Sequence, residues 1–125
     1  MDFLHSDGAP RAIGPYSQAV RAANVIYTSG QIPLDPATGE LVDGDFEAMT
    51  RRVFENLKAV LASGGASFRH VVKATVYLTA MADFQTLNGI YAEYFGDHKP
   101  ARSTVAVAQL PKGAKVEIDL VAVVE

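Results

Sequence analysis

Arg102 and Glu117 are the two side chains whose chemistry stands out in this sequence. Arg102 follows a Pro-Ala pair, so a stiff backbone presents its guanidinium, whose planar fork of donors matches a carboxylate. Glu117 is predicted on the strand next to that of Arg102, on a face shared with Val121 and Val123, and a carboxylate on a partly apolar face needs a partner or a chemical role. The two residues are candidates for a structural ion pair or for a catalytic pair, and spacing alone favours the ion pair.

Four other residues are candidates for a binding site. Ser29 and Gly30 end a strand-like segment with a small hydroxyl residue and a glycine, which lets a ligand approach backbone N–H groups closely, although an ordinary turn has the same composition. Tyr16 follows a Gly-Pro turn, where core packing is the alternative. Asn88 lies beside an apolar helix face, where it can cap a loop or touch a ligand.

Metal-binding and redox residues are scarce. The sequence has no Cys, which excludes a disulfide framework, thiol catalysis and thiolate ligands. His5, His70 and His98 are scattered, without metal-ligand spacing to one another or to a carboxylate, and we predict that all three lie at the surface. The sequence therefore predicts no metal and no cofactor.

The composition is that of an ordinary globular protein. The 125 residues fit one domain, 1–125, which is long enough to bury a core of its own. The net charge is −3 and no basic cluster occurs, so we expect no nucleic-acid partner. No apolar stretch is long enough to span a membrane, and the N-terminus does not resemble a signal peptide, so we expect a cytoplasmic protein with no membrane partner.

Hydrophobic periodicity places the candidate residues on seven elements. Apolar steps of three and four predict one helix from Phe46, with Asp45 as its N-cap, to a Gly-Gly stop, and a second helix from Asp83 to Gly96. Alternating apolar residues and turn signals predict strands over 17–22, 25–29, 72–79, 102–107 and 116–124. The predicted fold is α+β with the order ββαβαββ, after a loose segment up to about residue 11.

One face of the predicted sheet lacks a cover, because two helices can cover only one face. The last strand has valines on both of its faces, so the uncovered face is also apolar. An exposed apolar sheet face is typical of a protein interface, and we predict a homo-oligomer with clefts between subunits. The alternative is that the turn-rich loop 32–43 folds over this face.

Several motifs occur in a fixed order over nearly the whole chain. They are Ile13-Gly14-Pro15-Tyr16-Ser17-Gln18-Ala19, Thr28-Ser29-Gly30-Gln31-Ile32-Pro33, Asn88 with Tyr91, Pro100-Ala101-Arg102-Ser103, and Leu110-Pro111-Lys112-Gly113 leading into Val116-Glu117-Ile118. Each motif alone is weakly specific. As a set they resemble RidA, the reactive intermediate deaminase family formerly called YjgF.

The resemblance implies a fold, an assembly and a reaction. The fold is chorismate-mutase-like, with a mixed β-sheet and two helices on one face, and the assembly is a homotrimer with three ligand clefts between subunits. The reaction is the hydrolysis of enamines and imines, such as 2-aminoacrylate, to 2-keto acids and ammonia. Its physiological role is metabolite damage control. The partners are then small 2-imino and 2-keto acids, and neither a metal nor a cofactor is required.

The resemblance also implies roles for individual residues. Arg102 is the arginine that binds the substrate carboxylate, and Glu117 is the acid that handles water. Four more residues match positions that line or shape the cleft: Tyr16, Ser29, Gly30 and Asn88. The chain departs from the family pattern at Thr104, where many members have Cys, and at Lys99, where some have an aromatic residue. Because of the departure at Lys99, the resemblance does not indicate which substrate side chains the cleft prefers.

Two other classes of function are compatible with the sequence. A non-catalytic trimer that senses 2-keto acids or amino acids would use the same arginine without turnover. An RNA-directed activity is a third possibility, but the net charge of −3 and the lack of a basic cluster or aromatic stacking motif count against it.

Overall fold

The computed structural model describes all 125 residues. Six strands and two α-helices follow one another in the order βββαβαββ. Their bounds are β1 (Asp2–Leu4), β2 (Ala19–Ala22), β3 (Val25–Thr28), α1 (Phe46–Ser63), β4 (Val71–Leu78), α2 (Phe84–Phe95), β5 (Ala101–Ala106) and β6 (Val116–Val123).

The six strands form one mixed sheet with the spatial order β1-β2-β3-β6-β4-β5. Every neighbouring pair is antiparallel except β4 and β5, which run parallel. A parallel pair needs a crossover connection, and α2 supplies it because it lies between β4 and β5 along the chain. The predicted α+β fold with a mixed sheet is confirmed.

The strand β1 is absent from the sequence prediction, which expects a loose N-terminus. Phe3 pairs with Val20 of β2, and the two residues beside it continue the ladder. Three residues are too few for an alternating pattern to stand out. The predicted order ββαβαββ is therefore short by one strand at its beginning.

Both helices pack on one face of the sheet, here called the inner face. The Asp45 side chain accepts a hydrogen bond from the Ala48 N–H at 2.9 Å, which confirms it as the N-cap of α1, and Gly64 ends the helix. The core between helices and sheet includes Val53, Phe54, Leu57, Val60 and Leu61 from α1, Val71, Ala74, Val76 and Leu78 from β4, and Val116, Ile118, Leu120 and Ala122 from β6. Neither helix is long and apolar enough to cross a membrane.

The opposite side of the sheet, here called the outer face, is largely uncovered within the chain. Phe3 is 73% exposed and Tyr27 is 52% exposed. Loop 32–43 packs against α1 instead, since the Asn56 amide donates to the Leu34 carbonyl at 3.0 Å and Leu41 packs against the core. The loop borders this face only beside Glu117 and leaves Phe3 and Tyr27 exposed, so the alternative in which it covers the whole face is wrong. That the face binds other copies of the chain stays a prediction.

Candidate functional site

Arg102 lies on the inner face of the sheet, at the edge strand β5. Its backbone pairs with Ala74 of β4, whose side chain is fully buried in the core. Partners in a ladder point their side chains to the same face, so Arg102 points toward the helices. The Arg102 side chain is half-buried beneath α2, which crosses over this edge.

Three side chains of α2 hold the Arg102 guanidinium. Nη1 donates to Asn88 Oδ1 at 2.8 Å, and Cζ lies 4.7 Å from the ring centroid of Tyr91 and 5.5 Å from that of Phe84. Cation–π contacts and the hydrogen bond restrict the rotation of the guanidinium. No carboxylate of the chain pairs with Arg102. Its remaining N–H groups are therefore free to bind an anionic ligand.

The spacing of these α2 residues explains why they meet. Phe84, Asn88 and Tyr91 are four and three residues apart, so they share one face of the helix. The sequence indicates Asn88 as a candidate and includes Tyr91 in a family motif, but it gives neither aromatic residue a role at the site. Burial raises the pKa of Tyr91, against a smaller lowering by Arg102, so its hydroxyl stays protonated at neutral pH. That hydroxyl is buried and has no partner in the chain.

Glu117 lies on the outer face, on β6, opposite Tyr77 of β4. Its carboxylate is half-buried and forms no hydrogen bond or ion pair within the chain. Burial raises the pKa of Glu117, and the nearby charge of Asp119 raises it further. A carboxylate with a raised pKa is a better proton acceptor, which suits it to general base chemistry.

Gly30 makes room for the Glu117 carboxyl group. A Cβ atom at residue 30 would lie 2.7 Å from Glu117 Cδ, closer than real Cβ contacts allow. The segment is fixed there because Gln31 and Ile118 exchange two backbone hydrogen bonds of 2.9 and 3.2 Å. Only glycine fits at residue 30 without moving Glu117.

A cavity of about 770 Å³ opens beside Glu117. Tyr16 and Gly30 line it, together with Lys112 and part of loop 32–43. Ser29 is adjacent in sequence, but its hydroxyl donates to the Ser17 carbonyl at 2.6 Å, so its proton is used within the chain. Tyr16, Gly30 and Glu117 thus converge on one cavity, and Ser29 stabilises the turn that leads into it.

Arg102 and Glu117 do not converge within one chain. The sequence interpretation placed them on neighbouring strands, which is wrong because β4 lies between β5 and β6. Two strand spacings separate the backbones by about 10 Å, and the side chains point to opposite faces of the sheet. The structural ion pair is therefore absent, and the candidate residues form two groups: Arg102 with Asn88, and Glu117 with Gly30 and Tyr16.

Comparison with known proteins agrees with this architecture. The family model described as Endoribonuclease L-PSP matches residues 6–124. The mouse 2-iminobutanoate/2-iminopropanoate deaminase is 49% identical over 115 residues, which are 92% of this chain and 85% of the mouse protein. The Myxococcus xanthus protein DfrA is 57% identical over 122 residues, covering 96% of this chain and 93% of that protein.

The chain belongs to the RidA family.

The solved structures of RidA-family proteins have the same fold. The crystal structure of RidA from an Antarctic Psychrobacter species matches with a TM-score of 0.95 at 44% identity, covering 99% of this chain and 100% of that one. The crystal structure of Escherichia coli TdcF with bound serine matches with a TM-score of 0.95 at 41% identity, covering all of both chains. The family and the fold that the motifs imply are confirmed for this RidA-family chain.

Proposed function

We propose that this chain is a hydrolytic deaminase of small 2-imino acids and their enamine tautomers, with a 2-keto acid and ammonia as products. The observation that carries the proposal is the Arg102 guanidinium, which Asn88 and two aromatic rings hold in place although no carboxylate of the chain pairs with it. The name of the mouse relative supports the same reaction.

Arg102 binds the substrate carboxylate. Apart from the hydrogen bond to Asn88, the N–H groups of the guanidinium have no acceptor within the chain, so two parallel donors can bind the two carboxylate oxygens. This contact fixes the adjacent C=N carbon in position. Fixing the reacting carbon converts a random encounter with water into an oriented one, which lowers the barrier.

Glu117 acts as the general base for the attacking water. An enamine first takes up a proton at its β-carbon and loses one from its nitrogen, and so becomes an imine. The Glu117 carboxylate then accepts a proton from water as the water oxygen bonds to the C=N carbon, and the nitrogen gains a proton. In the resulting carbinolamine the hydroxyl proton passes by way of Glu117 to the nitrogen, and the C–N bond breaks to release ammonia and the keto acid. Its raised pKa suits Glu117 to accept a proton and to return it.

The site is shared between subunits of a homotrimer. A substrate a few ångströms long cannot reach both Arg102 and Glu117 in one chain, because the two side chains lie on opposite faces of the sheet. If both act on one substrate, they come from different copies of the chain. The exposed outer face offers the apolar surface for that association.

The other candidate residues have supporting roles. Asn88 orients the guanidinium through its 2.8 Å hydrogen bond. Tyr16 and Gly30 shape the cavity beside Glu117, where Gly30 also leaves space for the carboxylate. Ser29 holds the backbone next to Gly30, and its hydroxyl oxygen can still accept a hydrogen bond.

The proposal is tested by generating 2-aminoacrylate enzymatically and following pyruvate and ammonia. We expect this chain to raise the rate well above that of hydrolysis in buffer, because general acid–base help is typically worth about 100- to 10,000-fold. A rate equal to that in buffer would contradict the proposal. Tight binding of pyruvate without any acceleration would instead favour the sensor.

Mixing two inactive variants tests whether the site is shared. We expect Arg102→Ala and Glu117→Gln to be inactive alone and to regain about a quarter of the wild-type activity after unfolding and refolding together in equal amounts. The reason is that half of the subunits still supply the arginine and half still supply the carboxylate, so about one cleft in four has both. No recovery in assemblies shown by mass spectrometry to be mixed would contradict a shared cleft.

Gly30→Ala tests the close approach of Gly30 to Glu117. The added Cβ should displace the carboxylate, and misplacement by about 1 Å can cost about 100-fold in rate. We expect kcat to fall by that order while circular dichroism still reports a folded protein.

Gly89→Ala is the matched control for that substitution. Gly89 lies within α2 and has no atom within 4 Å of a Cβ added there. Alanine should leave kcat unchanged and stabilise the helix by up to about 1 kcal/mol. Equal kcat values for the two variants would show that Gly30 has no special role.

A further inference from the structure

A second cleft, of about 420 Å³, opens between the C-terminal end of α2 and the start of β5. It is here called the α2–β5 cleft, and its lining consists of Tyr91, Ala92, Phe95, Gly96, His98, Lys99, Pro100 and Arg102. Arg102 therefore faces this cleft with the same side chain that we propose to bind the substrate carboxylate.

The α2–β5 cleft is cationic in a chain whose net charge is −3. Lys99 and Arg102 line it, and none of its eight lining residues is acidic. Neither cation takes part in an ion pair within the chain. Two unpaired cations in one concave site, with no acid to neutralise them, raise the local concentration of anions.

The floor of the cleft is apolar and fixed. Phe95 and Tyr91 pack with their ring centroids 4.4 Å apart. His98 Nε2 donates to the Val71 carbonyl at 2.6 Å, which holds the imidazole in place. His98 is only partly at the surface, since its side chain is half-buried against this floor. The rings offer contact for methylene groups between two anionic ends.

Lys99 and Arg102 have a spacing that suits two carboxylates on one molecule. Lys99 and Arg102 line the same cleft, and three extended residue steps between them span about 10 Å. Both side chains are long, and Lys99 is exposed. A short dicarboxylic acid can therefore touch Arg102 with one end and Lys99 with the other.

We propose that the α2–β5 cleft receives the substrate side chain and that Lys99 binds a second acidic group on it, so that the chain favours 2-imino dicarboxylates over monocarboxylates of similar length. The inference rests on the proposed role of Arg102 in binding the 2-carboxylate. Lys99 is a specificity-determining residue in this arrangement, and it takes no part in proton transfer.

Titration calorimetry with two stable keto acids tests the inference without turnover. The probes are 2-oxoglutarate, a dicarboxylate, and 2-oxopentanoate, a monocarboxylate with the same main chain. We expect wild type to bind 2-oxoglutarate more tightly. Lys99→Gln should reduce the ratio of the two affinities about three- to tenfold, because an exposed charge pair contributes modestly. Lys99→Arg should keep the ratio, and added salt should reduce it.

Lys58→Gln is the matched control, because Lys58 is exposed on α1 and lines neither cavity. An affinity ratio that Lys99→Gln leaves unchanged, or that Lys58→Gln lowers equally, would overturn the inference. Failure of both keto acids to bind would overturn it as well. If the ratio shifts as expected but no imine is hydrolysed, the deaminase proposal fails while the assignment of Lys99 stands.

Discussion

Arg102→Lys is expected to lower kcat/KM for imine hydrolysis by about 100-fold, although it keeps the positive charge. Lysine lacks the planar fork, so it cannot form two parallel hydrogen bonds with the substrate carboxylate. It also loses the hydrogen bond to Asn88 and the stacking on Tyr91 that orient the guanidinium. One charge-assisted hydrogen bond is worth about 1.5–3 kcal/mol, and about 3 kcal/mol corresponds to 100-fold.

Steady-state kinetics with a generated imine measures this effect, and Arg69→Lys is its control. Arg69 is exposed and forms no hydrogen bond or ion pair through its side chain in the structure, so the same exchange there should leave kcat/KM unchanged. Wild-type kinetics for Arg102→Lys would mean that charge alone suffices at this position, and the proposed two-point contact would be wrong.

Glu117→Gln is expected to lower kcat by about 100- to 10,000-fold, the usual range for loss of a general acid or base. The amide is close in size to the carboxylate, so the cavity and the contact with Gly30 should persist. KM should change less than kcat, because in the proposed mechanism Glu117 acts on water while Arg102 binds the substrate. Initial rates over a range of substrate concentrations separate the two constants.

The pH dependence provides a second measurement on the same variant. Burial and Asp119 raise the pKa of Glu117, so wild-type kcat/KM should fall as pH drops, with a midpoint above the usual range for glutamate. In Glu117→Gln this limb of the profile should be missing. A wild-type profile that stays flat down to about pH 4 would contradict the assignment of Glu117 as the base.

Glu117→Gln should lower activity without lowering thermal stability. The native state binds the Glu117 proton more tightly than the unfolded chain does, because the pKa is raised by folding. This favourable contribution is complete below the unfolded pKa and is lost as pH rises through the native pKa. At pH 7 the ionised, half-buried carboxylate lowers the stability of the folded state. Glu117→Gln should therefore have an equal or higher Tm, and the difference should shrink near pH 4. A lower Tm would indicate structural damage.

The sequence predicts the elements well because their signals are local. The N-cap at Asp45 and the stop at Gly64 bound α1 correctly, and the start of β6 at Val116 is also correct. These signals depend on residues within a few positions of one another. The resemblance to the RidA family added expected roles for the site residues, which spacing alone left open.

The sequence does not predict which strands are neighbours. β5 and β6 are consecutive in the chain, and a turn with strong breakers joins them, so direct pairing is the natural expectation. In the structure β4 lies between them, because β5 pairs parallel to β4 at one edge and β6 pairs antiparallel to it on the other side. This long-range arrangement decides that Arg102 and Glu117 point to opposite faces.

The contacts of aromatic residues with Arg102 are also not predictable from the sequence, because they too depend on long-range arrangement. Phe84 and Tyr91 fit the apolar stripe of α2, and nothing in that stripe says which of its members meets an arginine from another element. His98 is similar, because its partner is a carbonyl 27 positions away. Contacts of this kind appear only when helix and sheet edge are placed together.

The separation of the two key groups onto opposite sides of one sheet has a genetic consequence. In the proposed trimer every copy lends its guanidinium to one boundary and its carboxylate to another. A subunit that lacks both Arg102 and Glu117 would inactivate the sites at two boundaries when it assembles with wild-type subunits. Such an allele would be dominant negative, whereas an allele whose product cannot assemble would be recessive.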